Sequence, residues 1–232
     1  MIFDSYGTEY GGAETAEKKR VVVCVSGGGT NLQAIIDGCE PGGRIENAEV
    51  VAVVSNVAGV KALERAAAHQ IPAAVVRPKD YDDRARFDED LTQIIMTYRP
   101  DLIVLAGYLV QVPTMLLENF RGSVINIHPA LIPSFCGKGM YGLKVHEAVL
   151  KKGVRVTGAT VHFVDANLDT GPIIAQLPVP VCEGDTAEVL QRRVMEKAEW
   201  KILPWAINHI VNGRIWLDGE TVAYKMLLPL IN

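Results

Sequence analysis

Two polar side chains that could share one chemical task stand close together in an otherwise apolar segment. Asn126 and His128 interrupt the β-branched run that begins at Val124, and Pro129 ends it. Such a run is typical of a strand in a sheet that helices cover on both faces. Because side chains in a strand alternate between its two sides, an amide and an imidazole at this spacing point to the same side.

The carboxyl end of this strand is a favourable place for a ligand. Open α/β sheets bind their ligands beyond the carboxyl ends of the strands, and Pro129 places both polar groups there. An amide can donate hydrogen bonds to a developing oxyanion, and an imidazole titrates near neutrality and can act as an acid or a base. A hydrogen-bonded pair with a purely structural role is the alternative.

A glycine turn near the start of the chain is a second candidate site. An apolar strand at residues 21–25 leads into Ser26-Gly-Gly-Gly-Thr-Asn, and Leu32, Ile35 and Ile36 then follow with helical spacing. Backbone amides in such a turn, together with the helix N-terminus, form a cradle for an anion. The turn lacks the Gly-Lys-Ser/Thr of a Walker loop and the third glycine of a dinucleotide fingerprint, so a phosphomonoester suits it better than a polyphosphate. A tight turn without a ligand is the alternative.

Strands and helices alternate along the chain, which predicts a doubly wound, mostly parallel α/β sheet with a Rossmann-like N-terminal half. Apolar runs predict strands or extended segments at residues 21–25, 49–55, 72–76, 101–105, 124–128, 156–164 and 172–181. Helical spacing predicts helices after the glycine turn and at residues 60–69, 82–98, 114–119, 143–151 and 186–211, the last interrupted at Pro204. A terminal hairpin is predicted at residues 214–230, turning at Asp218-Gly219.

Composition fits one α/β domain with a sizeable core, since 49% of the 232 residues are hydrophobic. Residues 1–18 are interpreted as a mobile tail and residues 19–232 as a single domain. A net charge of -4 argues against nucleic acid as the main partner. No stretch approaches the roughly 18 apolar residues of a membrane helix. Four scattered cysteines indicate reduced thiols in a cytoplasmic protein, and five histidines without ligand spacing predict no metal site.

Five motifs, in order, resemble the phosphoribosylglycinamide formyltransferase family and extend over residues 21–214. They are Ser26-Gly-Gly-Gly-Thr-Asn-Leu-Gln, Leu105-Ala-Gly-Tyr, Asn126-Ile-His-Pro-Ala-Leu-Ile-Pro, Gly158-Ala-Thr-Val-His-Phe-Val and Leu168-Asp-Thr-Gly-Pro-Ile-Ile. The resemblance implies the formyltransferase fold and a step of de novo purine (IMP) biosynthesis. In that step the amine of glycinamide ribonucleotide attacks 10-formyltetrahydrofolate directly and takes its formyl group through a tetrahedral intermediate.

The resemblance also implies a catalytic trio, because the family's aspartate falls at Asp169 in the loop at residues 165–171. Asn126 would stabilise the oxyanion and His128 would transfer protons. Asp169 would orient the imidazole and favour its charged form. His162 is predicted to be a hydrogen-bonded structural histidine rather than a catalyst.

Two sets of binding residues follow from the same resemblance. Contacts to the phosphate and ribose of the ribonucleotide are implied for Gly29, Thr30, Asn31 and Glu199. Contacts to the folate, a co-substrate that acts without a metal, are implied for Arg84, Leu109, Val110, Gln111, Val112 and Asn126, with Ala166 in the folate-binding loop. By its sequence context alone, Glu199 is typical of a solvated charge on a helix.

The chain departs from the family pattern at two places. Val110 stands where a well-known member has arginine, so no cationic contact to the folate is implied there. The glycine-rich loop at residues 135–142 is longer than the common version. It is interpreted either as a mobile cover over the site or as an inert surface insertion.

Three rival functions are weighed against the transferase. Formyltetrahydrofolate deformylase shares the trio but typically has an N-terminal regulatory domain and a His-His pair, where this chain has His128-Pro129. Methionyl-tRNA formyltransferase has a C-terminal RNA-binding domain, for which residues 214–232 are expected to be too few. A non-catalytic sensor of phosphorylated ligands would not need the trio. The expected partners are therefore the two small-molecule substrates, with no nucleic acid and no membrane, and the expected assembly is a monomer or a homodimer.

Overall fold

The computed structural model describes residues 17–225 of the chain. The predicted mobile tail at residues 1–18 therefore lies outside the described residues except at its last two positions. The end of the predicted terminal hairpin, after Lys225, also lies outside them.

One seven-stranded sheet organises the described chain. Its strands are β1 Lys19–Val25, β2 Ala48–Ser55, β3 Ala73–Val75, β4 Leu102–Leu105, β5 Val124–His128, β6 Val156–Phe163 and β7 Ile173–Pro180. Their order across the sheet is β3-β2-β1-β4-β5-β6-β7. The first five strands pair in parallel, whereas β6 and β7 are antiparallel to their neighbours. The prediction of a doubly wound, mostly parallel sheet is confirmed.

Seven α-helices of the described residues flank this sheet. They are α1 Thr30–Cys39, α2 Lys61–Ala68, α3 Arg84–Thr97, α4 Thr114–Asn119, α5 Leu143–Lys152, α6 Ala187–Val194 and α7 Trp200–Val211. A short 3-10 helix, Pro78–Asp80, precedes α3. No helix among residues 17–225 is long and apolar enough to cross a membrane.

Strand β1 shows why helices cover both faces of the sheet. Val21 and Val23 belong to an apolar cluster with α1, α5, α6 and α7, whereas Val22 and Cys24 belong to a second cluster with α3 and α4. All four side chains are at most 1% exposed. Full burial of a valine side chain contributes about 1.5 to 3 kcal/mol, so both layers stabilise the sheet.

The strand order reverses between β1 and β4, because β2 and β3 continue on one side and β5 on the other. Such a switch point leaves a crevice at the carboxyl ends of the strands. The glycine turn after β1 and the polar pair at the end of β5 are therefore brought to the same edge of the sheet.

The long C-terminal helical segment is interrupted, but not at Pro204. A π-helical turn, Met195–Glu199, separates α6 from α7, and Pro204 lies inside α7. The predicted position of the break is therefore wrong. A proline ring crowds the helical turn that precedes it, and the widened π-helical turn lies on that side of Pro204.

A two-stranded hairpin ends the described chain. Strands β8 Ile215–Asp218 and β9 Thr221–Tyr224 pair antiparallel, and Gly219 and Glu220 join them. The predicted hairpin is present, with its turn one residue later than expected.

Candidate active site

A cavity of about 340 Å³ opens at the switch point. Most of the residues that the sequence assigned to the site form part of its wall. They are Asn31, Leu109, Val110, Gln111, Asn126, His128, Asp169 and Glu199. Sequence positions up to 168 residues apart are thereby brought into one site.

Strand β5 positions the amide and the imidazole. It lies between β4 and β6, with Asn126 directly opposite His162 and His128 opposite Thr160. His128 is 4% exposed. The two side chains therefore have little freedom to reorient.

Asn126 is oriented by its cross-strand neighbour. His162 Nδ1 lies 2.8 Å from the carbonyl oxygen of Phe163 and donates its proton there, which leaves Nε2 as an acceptor. The Asn126 amide nitrogen, Nδ2, donates to that Nε2 at 3.1 Å and to Asp169 Oδ1 at 3.4 Å. His162 is thus hydrogen-bonded, as expected, and it also fixes which end of the Asn126 amide carries the hydrogens.

Asp169 lies between the two histidines. Its Oδ2 accepts the Gly137 N–H at 2.8 Å and is 3.6 Å from His128 Nδ1, and its Oδ1 is 3.7 Å from His162 Nε2. Burial opposes the charge on Asp169, but the charged forms of His162 and His128 and the hydrogen bond from the Gly137 N–H favour it, and the pKa of Asp169 lies below its ordinary value. Asp169 is therefore ionised at neutral pH.

His128 has the protonation state of a base at neutral pH. Burial lowers the pKa of His128 below its ordinary value of 6.5, while the charge of Asp169 and the carbonyl of Phe135 offset only part of this effect. The imidazole is thus uncharged near pH 7. Asp169 acts in the expected direction, since it favours the charged form, but burial is the larger effect.

The glycine turn requires glycine at one position for two reasons. Gly29 precedes α1 with φ 71°, and a Cβ there would lie 2.7 Å from the backbone of Ala62. Among residues 17–225, no side chain caps the N-terminus of α1, which leaves its first amides available to an anion. Arg65 braces the turn, donating from Nε to the Gly28 carbonyl at 3.0 Å.

Glu199 is not the solvated charge that its sequence context indicated. It lies at the end of the π-helical turn, is 6% exposed, and accepts a 2.6 Å hydrogen bond from Asn31 Nδ2 through Oε2. Burial raises the pKa of Glu199 to about 7, although the bond from Asn31 acts in the opposite direction. Only the packing of α7 against α1 places this carboxylate in the cavity wall.

Five assigned residues lie outside the cavity wall, one of which, Ala166, lines a separate cavity of about 580 Å³. Arg84 lies behind the loop at residues 109–112, where Nη2 donates to the carbonyl oxygen of Gln111 at 2.6 Å. Val112 is 8% exposed and packs in the second apolar cluster. Gly29 forms the tight turn, and Thr30 lines a neighbouring cavity of about 500 Å³.

The cavity wall also contains residues that sequence reasoning did not assign to the site. They are Tyr108, Gln191, Met195, His146 and the loop residues from Lys138 to Gly142. Tyr108 ends one of the five motifs, and the loop stood out by its glycines, so both gave a signal. His146 gave none as a site residue: its ring is fully buried, and burial together with His128 lowers its pKa to about 4.

Within residues 17–225, no group of three or more His, Cys, Asp or Glu side chains could hold a metal ion. The polar centre of the cavity is the amide of Asn126, the imidazole of His128 and the carboxylate of Asp169, with His162 hydrogen-bonded to Asn126 beside it. This set can polarise a carbonyl group and move protons.

Fold and site define the class of protein. Residues 19–207 match the formyl transferase family, and the chain belongs to that family. It is 39% identical over 206 residues to the chloroplastic phosphoribosylglycinamide formyltransferase of Arabidopsis thaliana, covering 88% of this chain and 70% of that protein. The solved structure of glycinamide ribonucleotide transformylase 1 from Symbiobacterium toebii superposes with a TM-score of 0.83 at 42% identity, covering 90% of this chain and 95% of that one.

One much longer relative and one more distant solved structure also match. The trifunctional purine biosynthetic protein adenosine-3 of Bos taurus is 41% identical over 204 residues, or 88% of this chain, and the chain spans only 19% of its length. A formyltetrahydrofolate deformylase structure from Pseudomonas syringae matches with a TM-score of 0.77 at 27% identity, over 90% of this chain and 66% of that one.

Proposed function

We propose that this chain transfers the formyl group of 10-formyltetrahydrofolate to the amine of glycinamide ribonucleotide in de novo purine biosynthesis. The observation that carries the proposal is the meeting of Asn126, His128 and Asp169 in one cavity of a chain with the formyltransferase fold. Identity is 42% to a glycinamide ribonucleotide transformylase structure and 27% to a deformylase structure, which favours the transferase.

The polar centre supports direct attack of the amine on the formyl carbon. Asn126 donates to the oxyanion of the tetrahedral intermediate through the N–H that is directed at Asp169, whose Oδ1 lies 3.4 Å from Asn126 Nδ2. A donor in this role supplies about 10²- to 10³-fold in kcat. The other N–H of the Asn126 amide stays bonded to His162 Nε2 and keeps the amide in place.

Proton transfer is the task of His128. Its uncharged imidazole takes a proton from the attacking amine and returns it to the departing folate nitrogen, and ionised Asp169 stabilises the imidazolium in between. Neither step calls for a nucleophilic side chain or a metal.

In this proposal the folate lies at one end of the cavity, and the ribonucleotide extends from the other end, at Asn31 and Glu199, to the glycine turn just outside the cavity wall. The phosphate of the ribonucleotide lies on the amides of Gly29, Thr30 and Asn31 at the start of α1, and Glu199 accepts hydrogen bonds from the ribose hydroxyls. The folate lies along residues 109–112, beside the carbonyl of Ala166, which accepts a 3.3 Å hydrogen bond from Gln111 Nε2.

The contact of Arg84 with the folate stays a prediction from the resemblance, and its bonds within the protein support a further task. Because its guanidinium is bonded to the Gln111 carbonyl and to Asp88, it supports the folate segment from behind. A cytoplasmic location and a monomeric or homodimeric state stay predictions from the sequence.

The absorbance change of 10-formyltetrahydrofolate, followed with and without glycinamide ribonucleotide, tests the proposal. Turnover that requires the ribonucleotide supports the transferase. Turnover without it identifies a deformylase, and tight binding of both compounds without turnover identifies a sensor.

A further inference from the structure

The segment from Phe135 to Gly137 contacts both partners of the proposed acid–base pair. The carbonyl oxygen of Phe135 lies 2.8 Å from His128 Nε2, and the Gly137 N–H donates to Asp169 Oδ2 at 2.8 Å. Two backbone groups of one loop thus hold two side chains that come from β5 and from the loop after β6.

The backbone of this segment is unusual. Phe135 has φ 53°, one of five positive values at non-glycine residues in the part of the chain that the structure describes. Bulky residues rarely adopt this left-handed conformation, and they retain it where the surrounding structure fixes it. Asp169, at φ 56°, is another of the five. Two left-handed residues thus contact His128: Phe135 at its Nε2 and Asp169 at its Nδ1. The surrounding structure holds both backbones in this conformation.

The position of the Phe135 carbonyl decides where neutral His128 carries its proton. A neutral imidazole has one N–H, and two acceptors compete for it. Phe135 O is 2.8 Å from Nε2, whereas Asp169 Oδ2 is 3.6 Å from Nδ1, beyond hydrogen-bond distance. The proton is therefore on Nε2, and the lone pair of Nδ1 faces the carboxylate.

We infer that Phe135 is a positioning residue for the proposed formyl transfer: its backbone carbonyl holds the proton of neutral His128 on Nε2 and leaves Nδ1 free to take one from the substrate amine. The substrate in this inference rests on the proposed function, whereas the tautomer is a property of the free protein. As the N–H bond of the amine breaks and the Nδ1–H bond forms, Nε2 keeps its bond to Phe135 and the new Nδ1–H faces Asp169. A serine protease whose triad histidine has the wrong tautomer loses about 10⁴-fold in kcat, which shows how much this proton can decide.

If the Phe135 carbonyl moves away, the balance reverses. A carboxylate is the stronger acceptor, so the single proton would move to Nδ1 and bond to Asp169. The atom that should accept the amine proton would then be occupied. The other titratable groups near this pair do not replace the carbonyl: His162 already donates to Phe163, and the ring nitrogens of His146 have no hydrogen-bond partner within residues 17–225.

Nitrogen NMR of the unliganded protein labelled at histidine tests the inference without any change at Phe135. At a pH where His128 is neutral, long-range proton–nitrogen correlations distinguish the protonated ring nitrogen from the free one. A His128→Gln spectrum assigns the signals among the five histidines. We expect the proton of His128 on Nε2; a proton on Nδ1 would overturn the inference.

A matched pair of variants tests the role in turnover. Phe135 packs against the apolar cluster that contains Val21 and Val23. Phe135→Leu and Phe135→Ile both keep an apolar side chain there, and the two new side chains have the same volume as each other. They differ in β-branching, which disfavours the left-handed backbone in isoleucine. We expect the leucine variant to keep the Nε2–H tautomer and kcat within about threefold, and the isoleucine variant to shift the proton to Nδ1 and lose about 10- to 100-fold in kcat.

Equal kcat and the same tautomer in both variants would contradict the inference. If circular dichroism shows that the isoleucine variant is unfolded, the wild-type spectrum still decides. An Nε2–H tautomer in a protein that does not use glycinamide ribonucleotide would refute the proposed function and leave the positioning of His128 by Phe135 intact.

Discussion

The two ends of the cavity are built differently. At the end proposed for the ribonucleotide, Asn31 and Glu199 are 9% and 6% exposed and lie on helical turns. At the end proposed for the folate, Leu109 and Leu168 are 58% and 51% exposed and lie on loops. The end at Asn31 and Glu199 is a buried polar contact, and the end at Leu109 and Leu168 is an open apolar rim.

This difference teaches where binding energy and specificity should come from. A buried carboxylate with one hydrogen-bond partner is destabilising until a ligand supplies further donors, so it selects strictly for hydroxyl or amine groups. Exposed apolar side chains bind through contact area and tolerate substitution. Substitutions at the ribonucleotide end and at the centre should therefore have larger effects than those at the folate end.

His128→Ala should have the largest effect, because it removes the proton-transfer group that serves both ends. We expect kcat to fall by about 10²- to 10⁴-fold, with folate affinity nearly unchanged. Steady-state kinetics and folate titration measure the two quantities. His69→Ala, which changes a histidine outside the cavity wall, is the control, and unchanged turnover in His128→Ala would refute the role assigned here.

Glu199→Gln should stabilise the free protein while weakening ribonucleotide binding. The pKa of Glu199 is raised from 4.5 to about 7, so between these pH values the folded protein binds more protons than the unfolded one, and the free energy of unfolding falls as the pH rises. Above pH 7 the burial of the Glu199 charge lowers the free energy of unfolding by about 3 kcal/mol at most. A glutamine has no charge to bury, and its amide can donate to Asn31 Oδ1, which lacks a partner among the described residues.

We expect the glutamine variant to be about 1 to 3 kcal/mol more stable than wild type at pH 8 and nearly equal at pH 4, below the unfolded pKa. Urea denaturation at both pH values measures this difference. Glu196→Gln, on an exposed position of the same π-helical turn, should show no such pH dependence. An equal gain at both pH values would mean that the charge of Glu199 is not the cause.

Asn31→Ala keeps the backbone N–H at position 31 but removes the side-chain amide, whose second Nδ2–H, the one not bonded to Glu199, is proposed to donate to the phosphate. The loss of this one hydrogen bond to a charged group should raise the apparent KM for the ribonucleotide by about tenfold. The change in kcat should be smaller, because Asn31 does not contact the reacting centre in the proposed arrangement. An acceptor without the phosphate serves as the comparison. An equal loss with that acceptor would count against the phosphate cradle.

Val110→Arg should have the smallest effect and would make the two ends more alike. Val110 is half-buried in the cavity wall, and a guanidinium there could pair with a folate carboxylate. We expect KM for the folate to fall by about two- to fivefold at low salt and by less at high salt. Val110→Met separates length from charge; if it gives the same improvement, the benefit comes from apolar contact.

Local patterns predicted most of the fold correctly. The apolar runs and the 3.6-residue periodicity located seven strands of one sheet and its helices, because both patterns record which side chains must leave water. The sequence prediction placed the break in the C-terminal helical segment at Pro204, because proline is a strong local signal. The structure instead has the π-helical turn Met195–Glu199 before α7, and Pro204 lies inside α7.

The candidate site could be predicted where its residues sit in motifs. Asn126, His128 and the glycine turn stood out by residue type and spacing, whereas Asp169 was implied only by the family resemblance. The structure brings Asn126, His128 and Asp169 together. Glu199 could not be recognised as buried, since its exposure depends on a contact with Asn31 that is 168 residues distant. His162 orients Asn126 because the register of β6 against β5 places the two residues opposite each other, and no local pattern specifies that register.

The sequence by itself determined the doubly wound sheet, the family and the residue types at the reaction centre, because these follow from short-range periodicity and from motifs with fixed spacing. Only the tertiary structure decided which nitrogen of His128 is free, how Asn126 is oriented and why Glu199 holds its proton to about pH 7. These properties depend on distances between groups far apart in the chain and on their exclusion from water.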